Sequence, residues 1–325
     1  MAVDVATHLT YSAVGNREDL SDMIYRIDPT DTPFVTGIER EKATAVNHEW
    51  QTQALAAVNS TNSVLEGDDA ITDTATPTVR LGNICQIQDK VARVSGTQQA
   101  VEHAGRDNEL AYQEMLKGLE LRRDQETTVV GTNQAKVAGA AGTPRAMASV
   151  ISWIKTNTNS NNGTPGGSST SGNPAAADGT GTRTDSTQRA ITEGLVKTVL
   201  QSIWNNGGKP DVIMVGGFNK QQLSQFVGRA TPMENSEKQT IQAAADVYRG
   251  DFGTLKIVPN RFMRQRDVLI LQMDLWAASY LSGRRFVSSV IAKTGDSDRK
   301  QILSEWTLTA RNEKGSGGVF DLTTS

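Results

Sequence analysis

The sequence has a single cysteine, Cys85, and no uninterrupted apolar run of eighteen residues. One cysteine cannot form an internal disulfide, which is typical of a chain that folds in a reducing compartment. Without a long apolar run we expect no membrane-spanning helix. The N-terminus also lacks the basic-then-apolar pattern of a secretory signal peptide. Aromatic residues make up only 5% of the 325 residues, which is little for one dense core, and the length predicts about two domains.

Recognisable catalytic and metal-binding patterns are missing too. The three histidines, His8, His48 and His103, are far apart and lack metal-ligand spacing. The sequence has no nucleophile elbow, no His-Glu-x-x-His motif and no phosphate-binding glycine loop. We therefore predict a protein that is not an enzyme and that needs no cofactor or metal. The Arg-Gly-Asp triplet at 249–251 is interpreted as a tight turn between strands and not as an adhesion motif.

A short amphipathic helix is predicted close to the N-terminus. Asn16 is a good N-cap, and four apolar residues follow the spacing of one helical stripe. These stripe residues are Leu20, Met23, Ile24 and Ile27. Pro29 and Pro33 predict an extended segment over 28–37. Because so short a helix is marginal in water, it has to dock either on its own domain or on a neighbouring subunit.

Residues 43–95 are predicted to form a long two-stranded hairpin around a polar loop. Val46, His48 and Trp50 alternate onto one face of the first strand, and alternation returns over 78–94. The loop between the strands carries an acidic group formed by Glu66, Asp68, Asp69 and Asp73. This group lacks the ligand periodicity of a calcium loop, so it is interpreted as a solvated tip. An isolated hairpin is barely stable in water, so this one needs a surface to lie on.

Residues 96–130 give the strongest helical pattern, with a predicted length of about 45–50 Å. Leu110 and Leu121 fall on the side opposite the main stripe, which predicts contacts from two directions. Residues 156–188 contain no Val, Ile, Leu, Met or aromatic residue, so we expect a mobile exposed loop there. From residue 189 onward, the spacing of Ile191, Leu195, Val199 and Ile203 predicts a helix that ends at the run NNGG, 205–208. The almost fully apolar stretch 211–217 is predicted to form a short strand, and several more strands follow.

Charge is distributed unevenly along the chain. Residues 1–92 contain 6 basic and 14 acidic residues, whereas the remaining residues contain 27 basic and 22 acidic residues. An acidic first quarter and a basic remainder attract each other, within one subunit or between copies. Association between copies would then be sensitive to salt.

Three stretches of this sequence resemble one family of tailed-phage capsid proteins. They are TYSAVGNREDLSDMIYRIDPTDTPF, GTPRAMASVISWIKTN and LQSIWNNGGKPDVIMVGGFNKQQLSQF. The order of arm, hairpin, helix, loop-bearing core and closing strands is also similar to that family over nearly the whole length. The resemblance implies an α+β fold of the Hong Kong 97 capsid type, with an N-terminal arm, an extended β-hairpin loop, a long spine helix, a peripheral domain and an axial domain. The implied boundaries are 1–42 for the arm, 43–95 for the extended loop, 96–134 for the spine helix and part of the peripheral domain, 135–283 for mainly the axial domain with the exposed loop 156–188, and 284–325 for closing strands that return to the peripheral domain.

The resemblance implies a structural role. The chain would assemble through pentamers and hexamers into an icosahedral shell around phage double-stranded DNA, inside the bacterial host cytoplasm. Implied partners are further copies of the chain, a separate scaffold protein, a portal protein at one vertex, a decoration protein and non-specifically contacted DNA, without a membrane. Candidate subunit contacts are Leu20, Met23, Ile24, Ile27, Trp50, Glu66, Asp68, Asp69, Asp73, Leu110 and Leu121.

The extended loop lacks the residue that some relatives use to join their subunits covalently. Some relatives join subunits covalently through a lysine on the extended loop, but residues 50–89 contain no lysine, so we expect no such bond. The alternatives that stay open are an encapsulin-like shell around a protein cargo and, as a different class, a metal-dependent hydrolase that uses the acidic loop.

Overall fold

The computed structural model describes residues 26–67, 69, 75–161, 172–226 and 246–325. Within these ranges the helices are α1 Pro33–Gly37, α2 Gly96–Ala100, α3 Glu109–Glu126, α4 Val150–Trp153, α5 Glu193–Asn205 and α6 Gly217–Ser224. The strands are β1 Glu39–Ala43, β2 Asn47–Thr52, β3 Val79–Ile84, β4 Gln86–Ser95, β5 Thr158–Asn159, β6 Val212–Val215, β7 Val247–Gly250, β8 Gly253–Pro259, β9 Val268–Leu271, β10 Trp276–Leu281, β11 Val287–Ile291, β12 Ser297–Ala310 and β13 Gly317–Val319.

The long strand β12 organises the first sheet. One of its edges pairs antiparallel with β4, from Ser297 to Trp306. The other edge pairs with β11 and then with β10, which in turn pairs parallel with β1. Helix α3 packs against β4 and β12. The core beside this sheet is rich in aromatic residues, with Trp276, Trp306 and Phe34 fully buried. One strand therefore joins three separate segments of the chain.

The second sheet has the strand order β5-β13-β9-β6-β8-β7. Its central strands β6 and β9 consist almost entirely of buried aliphatic residues. Helix α5 covers this sheet with a buried stripe that includes Leu195, Val199 and Ile203. The predicted helix after residue 189, the apolar strand and the tight turn at 249–251 are all confirmed, since β7 and β8 meet across Gly250 and Gly253.

The prediction of one continuous helix over 96–130 is wrong. The segment forms the short helix α2, then irregular chain, and then α3, which continues as a π-helical turn over Thr127–Gly131. Helix α2 ends at Ala100 because Val101 is extended, and Gly105 between the two helices has a positive φ of 74°, which does not fit an α-helix. Asn108 then starts a new helix, because its side chain accepts a hydrogen bond from the Ala111 amide at 2.9 Å. The helix is therefore shorter than the spacing of apolar residues suggested.

The prediction of extended chain throughout 28–37 is also wrong in its second half. Pro33 begins helix α1. Proline is well suited to the first turn of a helix, because its missing N–H would have no partner there and its φ is already helical. The same residue type that ends a helix can therefore begin one.

The prediction that 156–188 is an exposed loop is wrong for its first residues. Asn157, Asn159 and Ser160 are buried, and β5 pairs parallel with β13. The Asn157 side chain donates to the Lys314 and Ser316 carbonyls and accepts hydrogen bonds from Ser202 and Asn206, at 2.7 to 3.1 Å. A polar side chain can be buried at little cost when its hydrogen-bonding groups are satisfied. Residues 162–171 lie outside the described ranges.

Cys85 is fully buried beside the hairpin base, and burial raises the pKa of its thiol to about 11. Since the thiolate is the reactive form, we expect the folded protein to leave a disulfide-exchange reagent unreacted at pH 8 over minutes. The same protein in denaturant should release one equivalent of chromophore at once. Rapid reaction of the folded protein would show that the hairpin base opens.

Candidate assembly surfaces

The hairpin of β2 and β3 is attached firmly at its base. Asn83 is buried there. Its side-chain oxygen accepts from the Ala148 amide at 2.9 Å, and its nitrogen donates to the Leu308 carbonyl at 2.7 Å. Trp50 lies on the inner face of β2, with its ring 5.4 Å from that of Trp153. Trp50, predicted as a subunit contact, is therefore half-buried against its own subunit.

Beyond this base the chain leaves the body of the subunit. Every described residue between β2 and β3 is exposed. Leu55 and Val58 are 97% and 99% exposed, and Val64 and Leu65 are also largely exposed. We call residues 53–78, the connection between β2 and β3 inside the predicted hairpin region 43–95, the extended loop; of these, residues 68 and 70–74 lie outside the described ranges. Four exposed aliphatic side chains on a single loop are typical of a surface that another molecule covers.

The segment that leads out of the N-terminal region is fixed by Glu126. Its carboxylate accepts hydrogen bonds from the backbone N–H groups of Phe34 and Val35, both at 2.8 Å, and from the Asn260 amide at 2.6 Å. Burial raises the pKa of Glu126, although these three donors act in the opposite direction. Phe34 inserts beside Trp276 with an edge-to-face ring contact. The arm is thus fixed at 33–37, and Ile27 further out is completely exposed.

The remaining predicted contact residues have different positions. Glu66 and Asp69 are exposed on the extended loop, which agrees with the interpretation of a solvated tip, and their role as subunit contacts stays a prediction. Leu110 is partly buried on α3, whereas Leu121 is fully buried in its own subunit. Leu121 is therefore a core residue and not a free contact, because α3 lies against the first sheet on that side. Leu20, Met23, Ile24, Asp68 and Asp73 lie outside the described residues.

A further exposed apolar group was missed by the sequence patterns. Trp204 is 58% exposed at the end of α5, and its ring lies 5.5 Å from that of Phe252 in the β7–β8 turn. Val247 on β7 is also exposed. The only sequence signal was an aromatic residue directly before the helix-ending run NNGG at 205–208.

In the described part of the chain, no group of three or more His, Cys, Asp or Glu residues is arranged to hold a metal ion. None of the helices in the same residues is long and apolar enough to cross a bilayer.

Comparison with known proteins gives a consistent result. The family model for the SU10 major capsid protein matches residues 6–323. The major capsid protein of Escherichia phage Phieco32 is 27% identical over 343 aligned positions, covering 96% of each chain. A solved structure from Gordonia phage Cozz has a TM-score of 0.59 at 9% identity, over 98% of this chain and 99% of that one. The holo-SrpI encapsulin of Synechococcus elongatus PCC 7942 has a TM-score of 0.56 at 8% identity, over 95% and 93%.

Proposed function

This chain belongs to the SU10 major capsid protein family, and we propose that its copies form pentamers and hexamers that close into an icosahedral shell around double-stranded phage DNA. The predicted Hong Kong 97 type of fold is confirmed by the similarity to solved phage capsid proteins. The protein is accordingly a structural component of a virion shell.

The observation that carries the assembly proposal is the uncovered extended loop. Among its described residues, four aliphatic side chains are exposed, and hydrogen bonds such as those from Gln53 to Thr76 and from Thr61 to Asn59 stay within the loop. Full burial of an aliphatic side chain contributes roughly 1.5–3 kcal/mol. When many subunits each gain this free energy, the sum favours a closed ring of subunits even where each interface is small. We therefore place this loop over the neighbouring subunit.

The division of the chain follows from the same proposal. We assign 1–42 to the arm and 43–95 to the hairpin with its loop. We assign 96–134 to the spine and part of the peripheral domain, with α3 as the spine helix. Residues 135–283 supply mainly the axial domain, and 284–325 return to the peripheral domain. In this assignment the pair of Trp204 and Phe252 belongs to the axial domain, where copies would meet around five-fold and six-fold axes.

The proposed shell also implies partners other than copies of this chain. A solved procapsid structure of satellite phage P4 that includes its size determination (Sid) protein has a TM-score of 0.55 to this chain at 11% identity. By analogy, we propose that a separate scaffold protein directs assembly in the host cytoplasm. We also propose a portal protein at one vertex and a decoration protein on the outside.

The proposal predicts particles that electron microscopy can score. Chain purified after expression, alone or with the scaffold gene of the same phage, is expected to form closed shells of uniform diameter. A monomer that stays soluble at high protein concentration with scaffold present would contradict the proposal.

The similarity to an encapsulin keeps a second candidate function, a shell around a protein cargo. Particles isolated from infected cells distinguish the two. Nuclease-protected DNA of constant length supports the capsid, whereas a stoichiometric protein cargo without DNA supports the alternative.

A further inference from the structure

Strand β1 separates charge between the two faces of the first sheet. Its sequence, Glu39-Arg40-Glu41-Lys42, alternates in sign, and successive residues of a strand point to opposite faces. Glu39 and Glu41 both bind Arg311. Arg40 and Lys42 lie on the other face, beside Ala278 and Tyr280 of β10. The two acidic residues of β1 therefore share one arginine on one face, while its two basic residues lie together on the other.

Two more arginines join Arg40 near Tyr280. The guanidinium of Arg285 lies 4.9 Å from the centre of the Tyr280 ring. Arg122 is exposed on α3, and this helix lies on the Tyr280 side of the sheet, because its Gln125 binds Ser304, which shares a face of β12 with Trp306, the partner of Tyr280. Burial raises the pKa of Tyr280, and the charges of Arg285, Arg40 and Arg122 act in the opposite direction. All three arginines are exposed. We call Arg40, Lys42, Arg122 and Arg285 the arginine face.

No member of the arginine face forms an ion pair with a carboxylate in the described ranges, although their neighbours do. Arg284 binds Glu305 at 2.6 Å, while the adjacent Arg285 has no acidic partner there. Phe286, the next residue, has a positive φ of 48°, and its ring packs 6.4 Å from that of Tyr280. Packing of Phe286 thus holds a strained turn that presents Arg285 outward.

From this arrangement we infer that the arginine face binds the phosphate backbone of the enclosed nucleic acid, and that this side of the sheet faces the shell interior. Guanidinium groups carry the charge opposite to that of phosphate, and their planar N–H donors fit the spacing of phosphate oxygens. A duplex presents phosphates continuously, so it can contact cations on separate elements at once without regard to base sequence. The inference rests on the proposed packaging of DNA.

An acidic segment of another copy is the competing partner. The described acidic residues of the extended loop, Glu66 and Asp69, lie near the exposed aliphatic residues Val64 and Leu65. To bury Val64 and Leu65 as well as pair its acidic residues, this loop segment would need a partner surface that is both apolar and basic. At the arginine face, the apolar Phe286 and the Tyr280 ring are largely covered, so the face offers mainly charge.

The test measures DNA binding by full-length subunits kept unassembled at low concentration, with a fluorescent 30-base-pair duplex over a range of NaCl. The variant R40Q/R122Q/R285Q is compared with K209Q/R249Q/K256Q, which changes net charge equally at exposed residues associated with the second sheet that form no ion pair within the described ranges. A plot of log affinity against log salt concentration has a negative slope. Its magnitude should decrease by about 2–3 for the first variant and by less than about 1 for the second. Each single arginine variant should lower the magnitude of the slope by about 0.9, which keeps the test valid if the triple variant folds poorly.

Equal losses in both triple variants would show that binding follows net charge, and would overturn the inference. An unchanged slope in R40Q/R122Q/R285Q would overturn it as well, and a simultaneous failure of that variant to assemble would point to an acidic segment of a second copy. Shell formation by the unsubstituted chain is scored separately by microscopy, so failure of the proposed function is distinguishable from failure of this site.

Discussion

Replacing Glu126 with alanine is expected to lower the free energy of unfolding by about 2–5 kcal/mol. The carboxylate is fully buried and is the acceptor for two backbone N–H groups, those of Phe34 and Val35. Each buried donor left without a partner costs about 1–3 kcal/mol. The same change releases Asn260 and removes the contact that fixes α1 to the body. Urea unfolding followed by tryptophan fluorescence measures the loss.

Two further variants isolate the cause. Glu126→Gln keeps the side-chain length and one acceptor oxygen, so it should lose less than Glu126→Ala. Glu120→Ala lies on the same helix, but there the carboxylate forms a partly exposed pair with Lys117. Such pairs contribute about 0–1 kcal/mol. Similar losses for Glu120→Ala and Glu126→Ala would rule out the buried hydrogen bonds as the explanation.

Replacing the extended loop by a tight turn is expected to abolish closed shells while leaving the subunit folded. Thr52 and Val79 are paired across β2 and β3, so Asn-Gly in place of residues 53–78 closes the hairpin in register. The change removes the four aliphatic side chains that are exposed in the described part of the loop but none of the base contacts made by Asn83 and Trp50. Sedimentation and electron microscopy should show subunits or small oligomers only.

A pair of milder variants separates apolar contact from loop length. The quadruple variant L55S/V58S/V64S/L65S keeps the full loop and should reduce shell yield strongly. Asn59→Ala with Ser60→Ala changes neighbouring polar residues and should leave the yield near that of the unsubstituted chain. Normal shells from the quadruple variant, with an unchanged melting temperature, would mean that the loop does not act through apolar burial.

Much of the architecture could be predicted from local patterns. The stripe Leu195, Val199 and Ile203 and the apolar strand β6 are both found as predicted, because their burial follows directly from periodicity. The alternation in β2 also survives in the structure, with His48 and Trp50 on the more buried face. In α5 and β2 one face of the element is the more buried, whereas β6 is buried on both faces, with Met214 in the core beside the first sheet and Ile213 in the core under α5.

The predictions that were wrong depend on interactions that the spacing of apolar residues does not reveal. The buried segment around Asn157 is held by hydrogen bonds to residues some 45 to 160 positions away, and hydropathy cannot reveal them. The break before α3 depends on the positive φ of Gly105 and on the cap at Asn108. The candidate contacts were harder still, because Leu121 and Leu110 lie on one helical side and yet only Leu121 is fully covered.

The pairing of β12 along both edges also determines how the proposed filled shell would carry mechanical load. Tension in the wall that acts along β12 loads the ladder with β4 in shear, because antiparallel hydrogen bonds run perpendicular to the strands. Bonds loaded in this way must break together, whereas a ladder pulled open from one end breaks bond by bond. The Asn83 side chain ties the hairpin to the same strand through the Leu308 carbonyl. Force that reaches the extended loop from a neighbouring subunit would therefore pass into the strongest direction of the sheet.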